Sequence, residues 1–434
     1  MDPNATELLY VNSSRYYVAD NCYESKPNLY DYIDTVYNES KHTIDWFGCF
    51  PSCDICWTGT NNEHYRQFNL IVMGILLPIL GFFGLMGNSI SAFVYSRPEC
   101  RNSTNLYLCA LACSDNAIII TAIFTYTIVI YRSYSEMINI AWTSCSAVLY
   151  PMSHVAQICS VYFTVMAGAD CLAQIVLSPR LKEIVTSTCV VKRTVLIIVL
   201  ASILYNIPHC FESAIVECHN TNFNKVTFDF CPASLRFNEE YRRIYYEILY
   251  TYFVAVGPLV VLIAMNAFIV TTALLKPSSG SLGDSISLVL VVLLFIACNS
   301  AALLLNLFEE KFINQEELQV WFDYLVDVSN VMVVFNSSFN FIIYITFSVP
   351  FRRTFKYYMF GGREPLRMKE IPSTNGSLPS NGCVSNGSSN GGANGSVGNV
   401  VAPAPPIVIT EKSRIKITAD HFGNFVPTPK EVLI

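Results

Sequence analysis

Seven long apolar segments dominate this chain of 434 residues. An α-helix that crosses a bilayer needs about 20 consecutive, mainly apolar residues, and each segment approaches or exceeds that length. Only helices and closed barrels satisfy all backbone hydrogen bonds inside hydrocarbon, so these segments predict spanning helices. We expect the spans at 69–95, 104–131, 144–176, 190–212, 245–275, 284–308 and 320–347.

The composition supports the same fold class, since 52% of the residues are hydrophobic and only 14% are charged. We predict an all-α membrane protein: a seven-transmembrane helix bundle with an amphipathic cytosolic helix and disordered tails. The bundle covers residues 67–348 and follows an extracellular N-terminal segment, 1–66. Basic and aromatic residues alternate in 349–360, which predicts a helix on the membrane surface. The tail 361–434 is rich in Gly, Ser, Asn and Pro, a composition typical of disorder.

Loop charges predict the orientation of the bundle. By the positive-inside rule, the side that collects Lys and Arg faces the cytosol. This places the N-terminal segment outside the plasma membrane, where Asn4, Asn12 and Asn38 are acceptors for glycosylation. The basic residues that share the cytosolic side are Arg97, Arg101, Arg180, Lys182, Lys192, Arg193, Arg352, Arg353 and Lys356.

Four cysteines lie in the N-terminal segment, at positions 22, 49, 53 and 56. The run Cys49-Phe-Pro-Ser-Cys-Asp-Ile-Cys56 approaches the spacing of a zinc site, but no second ligand pair completes it. Disulfides are therefore the favoured interpretation in an oxidising compartment. We expect neither a resident metal nor another cofactor, apart from a sodium ion considered next.

The seventh span contains a polar stripe. Asn336, Asn340 and Tyr344 are spaced by four and so share one helix face. The second span has an acid, Asp115, which is costly in hydrocarbon unless it is compensated. Two alternatives stay open: a bound sodium ion that offsets the charge, or a neutral Asp115 bonded to Asn88 and Asn340. Further polar partners for the acid are Ser160, Asn336 and Ser337.

Several motifs point to one family. They are Gly87-Asn88 in the first span, Leu111-Ala-Cys-Ser-Asp115 in the second, Tyr205-Asn-Ile-Pro-His-Cys-Phe-Glu212 after the fourth, and Asn336-Ser-Ser-Phe-Asn-Phe-Ile-Ile-Tyr344 in the seventh. Together they resemble rhodopsin-class G-protein-coupled receptors, and more closely the invertebrate FMRFamide-type neuropeptide receptors. The resemblance covers roughly residues 68–360. It implies a receptor for a short amidated peptide that signals to heterotrimeric G proteins and is not an enzyme.

One departure from the family pattern concerns the inner end of the third span. The family has an acid, an arginine and an aromatic residue where this chain has Asp170, Cys171 and Leu172. The resemblance implies that these residues and Tyr344 face the G protein. Cysteine cannot replace the permanently charged guanidinium of arginine. A non-coupling, decoy or heteromeric receptor is therefore the alternative interpretation.

The outer side indicates how a ligand is held. The resemblance implies a disulfide from Cys145 to the loop 214–243, and Cys231 is favoured over Cys218. Residues 225–230 alternate like the inner strand of a hairpin over a pocket. Cys218 would then pair with the N-terminal segment or stay free. Acids at the rim suit a cationic peptide, and the ligand-binding candidates are Glu212, Glu309, Asp323 and Asp327.

Other functions find less support. A channel or transporter would show internal repeats or interrupted helices, which the sequence lacks. A membrane enzyme would cluster nucleophiles and bases, but His154 and His209 are isolated in the sequence and are interpreted as packing or loop residues. The chain ends Glu431-Val-Leu-Ile434, and a free carboxylate behind apolar residues is typical of ligands for PDZ-type scaffolds.

Overall fold

The computed structural model describes residues 7–11, 14–19, 49–51, 53, 63–100, 102–220, 222–275, 282–313 and 316–361. Among these residues, seven helices are long and apolar enough to cross a membrane, which confirms the predicted bundle. They are α1 (Glu63–Tyr95), α2 (Ser103–Tyr134), α3 (Glu136–Val176), α4 (Thr188–Phe211), α5 (Glu239–Thr272), α6 (Leu282–Ile313) and α7 (Glu316–Phe347).

Short polar side chains begin several of these helices. The Asn102 side chain accepts a hydrogen bond from the Asn105 N–H at 2.6 Å and so caps α2. Ser348 does the same for the Phe351 N–H at 3.3 Å, where the helix α8 (Val349–Phe360) begins. α8 is followed by Gly361, whose φ of 65° lies in the left-handed region that favours glycine. A separate short helix, Pro179–Val185, joins α3 to α4.

Three of the described helices begin six or more residues earlier than hydropathy predicts. α1 starts at Glu63 instead of 69, α3 at Glu136 instead of 144, and α5 at Glu239 instead of 245. In α3 the added turns are polar, yet Asn139 and Thr143 are buried. Their burial explains the error, because a hydropathy pattern detects lipid-facing residues and not polar residues that pack inside the protein.

In the described part of the chain, strands form two small sheets. β1 (Glu7–Val11) pairs antiparallel with β2 (Ser14–Ala19), and β2 pairs parallel with β3 (Cys49–Pro51). The second sheet is an antiparallel hairpin of β4 (Ser213–Asn220) and β5 (Lys225–Pro232), as the alternating pattern predicts. We call the side of the bundle that carries β4 and β5 the hairpin end, and the side that carries α8 the α8 end.

The bundle is tightly packed where α1 and α7 meet. A Cβ atom at Gly87 would lie 2.8 Å from the Cβ of Phe341, so only glycine permits this approach. Near the α8 end, the Tyr95 ring packs 5.2 Å from Tyr344 and 5.1 Å from Phe351, centroid to centroid. This aromatic cluster fixes α7 and α8 against α1.

Candidate functional site

Asp115 lies in the centre of the bundle and is fully buried. Ser160 on α3 donates a hydrogen bond to its Oδ1 at 2.9 Å, and Asn340 on α7 donates one to its Oδ2 at 2.8 Å. A buried carboxylate is tolerated only where hydrogen bonds or a counter-charge compensate it. Three helices therefore meet at this acid, and we call Asp115, Ser160 and Asn340 the polar centre.

Asn88 has a different partner from the predicted one. Its Nδ2 donates to the backbone carbonyl of Ser337 at 2.8 Å, so the expected bond to Asp115 is wrong. The close packing of α1 on α7 explains this contact, because it brings the α7 backbone within reach. Within the described part of the chain, the buried carboxamide oxygens of Asn88, Asn336 and Asn340 have no hydrogen-bond partner.

At the α8 end, Asp170 is tied to the beginning of α2. Its Oδ2 accepts hydrogen bonds from Ser103 Oγ at 2.7 Å, Thr104 Oγ1 at 2.6 Å and Gln174 Nε2 at 2.9 Å. These neutral donors supply hydrogen bonds to the Asp170 carboxylate, although Cys171 stands where the resembled family has an arginine. The inner end of α3 is thus fixed to α2 by side-chain hydrogen bonds.

The remaining residues expected to face the G protein lie mostly inside the bundle. Cys171 is 9% exposed and Tyr344 is 1% exposed, while Leu172 is half-buried. The Tyr344 hydroxyl is buried without a hydrogen-bond partner among the described residues. In this conformation these side chains pack against the core near the α8 end, so contact with a cytosolic partner would require them to move.

Polar contacts attach the hairpin to the helices. Arg132 at the end of α2 forms a buried ion pair with Asp229 of β5, with Nη1 and Oδ1 2.6 Å apart. The Arg132 guanidinium also lies 4.7 Å from the centre of the Trp142 ring, a distance at which a cation–π contact is favourable. Thr143 donates to the carbonyl of Phe228 at 3.2 Å. β5 is therefore fixed over α2 and α3.

The predicted disulfide between Cys145 and Cys231 is wrong. Cys145 is a free, exposed cysteine, and Cys231 is bonded elsewhere. Trp142 and Thr143, two α3 residues that contact β5, are buried, whereas Cys145 lies on the exposed side of the helix. Cys218 forms a disulfide with Cys53 in the N-terminal segment, which confirms one of the two expectations for Cys218.

Asp327 is buried in the bundle and does not lie on an open rim. It is 4% exposed, and its Oδ2 accepts hydrogen bonds from Tyr65 Oη and Asn69 Nδ2 on α1, both at 2.7 Å. Its position inside α7 is therefore explained by this contact between α1 and α7. Asp323, one turn earlier, is half-buried.

Glu212 is also buried, which corrects its assignment to the rim. Its carboxylate accepts from His209 Nδ1 at 3.0 Å, from Tyr246 Oη at 2.6 Å and from Tyr241 Oη. Burial alone would raise the pKa of Glu212, but these hydrogen bonds and the neighbouring His209 lower it to about 2. His209 stacks on His154, so the two histidines are not isolated in space.

Several predicted residues lie outside the described residues. This holds for Asn4, Asn12 and Asn38, for the four C-terminal residues with their expected PDZ-type partner, and for the side chain of Glu309. The glycosylation sites, the scaffold and the role of Glu309 stay predictions. The zinc alternative does not hold for Cys53, whose sulfur is in the disulfide.

Sequence reasoning missed Arg132, Tyr65 and the pairing of His154 with His209. Arg132 had a detectable signal, since it is a charged residue at the end of an apolar span. Tyr65 and the two histidines gave no signal in the sequence, because their contacts are with residues that are distant in sequence.

Seven spanning helices, a short eighth helix and a buried acid that joins α2, α3 and α7 define a rhodopsin-class G-protein-coupled receptor. The chain is 42% identical over 317 residues to the protein named "Probable G-protein coupled receptor frpr-1" of Caenorhabditis elegans, covering 68% of this chain and 81% of that relative. It therefore belongs to the FMRFamide-type family of G-protein-coupled receptors.

Two further relatives carry ligand names. The "FMRFamide receptor" of Drosophila melanogaster is 26% identical over 324 residues, which is 72% of this chain and 58% of that protein. The "FMRFamide peptide receptor frpr-18" of Caenorhabditis elegans is 27% identical over 310 residues, 67% of this chain and 70% of its own. No family model matches the chain.

Proposed function

We propose that this protein is a plasma-membrane receptor for a short amidated peptide of the FMRFamide type and that it signals to heterotrimeric G proteins. The observation that carries the proposal is its similarity, over about two thirds of the chain, to relatives named as FMRFamide receptors. In this proposal the hairpin end faces the outside. The basic residues near the α8 end support that orientation by the positive-inside rule.

The ligand would enter beneath β4 and β5. Arg-Phe-type peptides are cationic, so a carboxylate near the entrance would attract them. Glu212 and Asp327 are 1% and 4% exposed and are therefore poor candidates, because a peptide does not reach a buried carboxylate. We assign the attraction to Asp323, which is half-buried on α7, and to Glu309.

The resting state would be maintained without an arginine after Asp170. Ser103, Thr104 and Gln174 hold that carboxylate, so the inner end of α3 has a restraint that does not depend on Cys171. We infer that coupling to a G protein proceeds by release of this restraint. Cys171 itself favours a second candidate function, a receptor that binds peptide without coupling to a G protein. The reason is that cysteine lacks the permanently charged guanidinium of arginine.

The polar centre fits a sodium ion. The carboxylate of Asp115, the hydroxyl of Ser160 and the carboxamide oxygens of Asn336 and Asn340 are oxygen ligands of the kind that hard cations prefer. Among the residues that the structure describes, the two carboxamide oxygens have no hydrogen-bond partner. We propose that these residues would hold sodium in the resting receptor and that the ion would offset the negative charge of Asp115.

Peptide binding and signalling are tested separately in one experiment. Cells that express the protein are exposed to FMRFamide and to the same peptide with a free C-terminal carboxylate, and calcium, cAMP and bound labelled peptide are measured. We expect binding and signalling with the amide, and a loss of about tenfold or more in potency with the acid, because a new charge would need to be desolvated.

The matched variants are Asp323→Asn and Cys171→Arg. The first should weaken peptide binding about three- to tenfold, as expected for a charge near an interface rim. The second should raise coupling without changing peptide affinity. Binding without any signal in the natural protein would support the non-coupling function instead, and absence of binding would refute both.

A further inference from the structure

A cluster of polar side chains joins the beginning of α2 to the end of α3, near the α8 end. Its members are Ser103, Thr104, Asp170 and Gln174, and we call them the inner polar cluster. Nε2 of Gln174 donates to Asp170 Oδ2 and to Thr104 Oγ1, both at 2.9 Å. Ser103 Oγ lies 3.3 Å from the same nitrogen. Gln174 is therefore in contact with every other member of the cluster.

Gln174 is also connected to the loop between α3 and α4. Its backbone carbonyl accepts a hydrogen bond from Lys182 Nζ at 3.3 Å, and Lys182 belongs to the short helix Pro179–Val185. Gln174 is half-buried, whereas Asp170 is 5% exposed. A protein that approaches the α8 end can therefore contact Gln174 and the short helix, but it does not reach the carboxylate of Asp170.

Cys171 lies in a different environment from the inner polar cluster. It is 9% exposed and belongs to an apolar core that also contains Tyr107 and Tyr344. A residue four positions after an acid lies on the same face of a helix, so Gln174 shares a face of α3 with Asp170. The side-chain amide of glutamine offers two N–H donors, whereas cysteine offers only a weak S–H donor. Gln174 therefore supplies Asp170 with an N–H donor that cysteine at position 171 does not have.

We propose that Gln174 is the positioning residue that holds the end of α3 in the resting receptor, and that a cytosolic protein releases α3 by drawing Gln174 away from Asp170 and Thr104. The inference rests on the function and orientation proposed above, and it specifies how the restraint on Asp170 is opened.

Withdrawal of Gln174 would leave the Asp170 carboxylate with the hydroxyl donors of Ser103 and Thr104. A hydrogen bond to an ionised acceptor is roughly twice as strong as one between neutral groups, so loss of the Gln174 donor weakens the contact between α2 and α3. The end of α3 would then separate from α2 more often. Because Cys171 lies on this part of α3, the same movement would expose its buried thiol.

The thiol of Cys171 reports this movement without an added probe residue. Membranes that contain the ligand-free receptor are treated with N-ethylmaleimide, and peptide mapping by mass spectrometry measures the rate of modification at Cys171. This rate follows the fraction of molecules in which local opening exposes the thiol. Cys159, a buried thiol in the middle of the same helix, is the internal control.

Three variants test the role of the Gln174 side chain. Gln174→Leu removes the donor and should speed modification of Cys171 about tenfold or more, as expected for the loss of one hydrogen bond to a charged group. Gln174→Arg restores N–H donors and should keep the rate at or below that of the natural protein. Glu183→Gln changes an exposed residue of the short helix and should leave the rate unchanged. In all four proteins Cys159 should stay protected.

Signalling gives a second readout, which depends on the proposed function. Without peptide, Gln174→Leu should change calcium or cAMP in the direction in which peptide changes them in the natural protein, and Gln174→Arg should not. If FMRFamide neither binds nor signals, the proposed function fails, while the thiol measurement still decides on Gln174. Equal rates at Cys171 in Gln174→Leu and the natural protein would overturn the positioning role. A parallel rise at Cys159 would overturn it as well, because it would indicate general loosening of α3.

Discussion

Asp115 shows how single residues define the centre of this receptor. Its two hydrogen bonds come from Ser160 on α3 and Asn340 on α7. The carboxamide oxygens of Asn336 and Asn340, which have no hydrogen-bond partner among the described residues, offer further oxygen ligands to a cation. If sodium binds there, it stabilises the conformation that contains the site at the expense of others, and peptide and ion compete through that equilibrium.

We expect sodium to weaken agonist binding about fivefold or more, a typical lower bound for allosteric coupling, and Asp115→Asn to remove this effect. Labelled peptide binding is compared in sodium chloride and in an equal concentration of N-methylglucamine chloride. Sodium should also raise the melting temperature of the ligand-free natural receptor, but not that of Asp115→Asn. Sodium effects that persist in the variant would locate the ion elsewhere.

Contacts of single residues were predictable from the sequence only in part. The spacing of four in α7 placed Asn340 on the face that meets Asp115, because helical periodicity is a local property. Glu212 and Asp327 were assigned to a rim, yet both are buried against tyrosines that lie on other helices. Their partners depend on how helices pack, which no local pattern contains.

At the scale of elements, the hairpin was likewise predictable from the sequence only in part. Alternation of residues predicted β5, since a strand with one buried face has a period of two. The covalent attachment was inferred from a family resemblance and was wrong, because β5 meets α3 at Trp142 and Thr143 and not at Cys145. The hairpin is joined by a disulfide to the N-terminal segment instead.

Cys218→Ser should therefore destabilise the hairpin end, whereas Cys145→Ser should not. Loss of a native disulfide typically costs about 2–5 kcal/mol, and here the two cysteines have a sequence separation of 165. Surface expression and peptide binding should fall for Cys218→Ser and for Cys53→Ser, and remain normal for Cys145→Ser. Peptide mapping without reduction should recover the Cys53–Cys218 pair. A loss with Cys145→Ser equal to that with Cys218→Ser would contradict this assignment.

For the whole molecule, the bundle was the most predictable feature, because the length of a bilayer-spanning helix is set by the membrane itself. The seven spans and α8 follow from hydropathy and from the basic and aromatic residues of 349–360. Orientation is predicted from charge alone. It matters for the proposed function, in which the peptide reaches the hairpin end and the G protein reaches the α8 end.

The orientation predicts that sequons in the N-terminal segment are glycosylated and that sequons in the C-terminal tail are not. Asn4, Asn12 and Asn38 should carry glycans if the N-terminal segment is outside, while Asn375 in the cytosolic tail should carry none. A glycosidase should increase the gel mobility of the natural protein and of Asn375→Gln, but not that of the triple variant with glutamine at the three N-terminal positions. An N-terminal epitope tag should be labelled on intact cells and a C-terminal tag only after permeabilisation. C-terminal labelling of intact cells would reverse the orientation, and with it the assignment of the hairpin end as the ligand entrance.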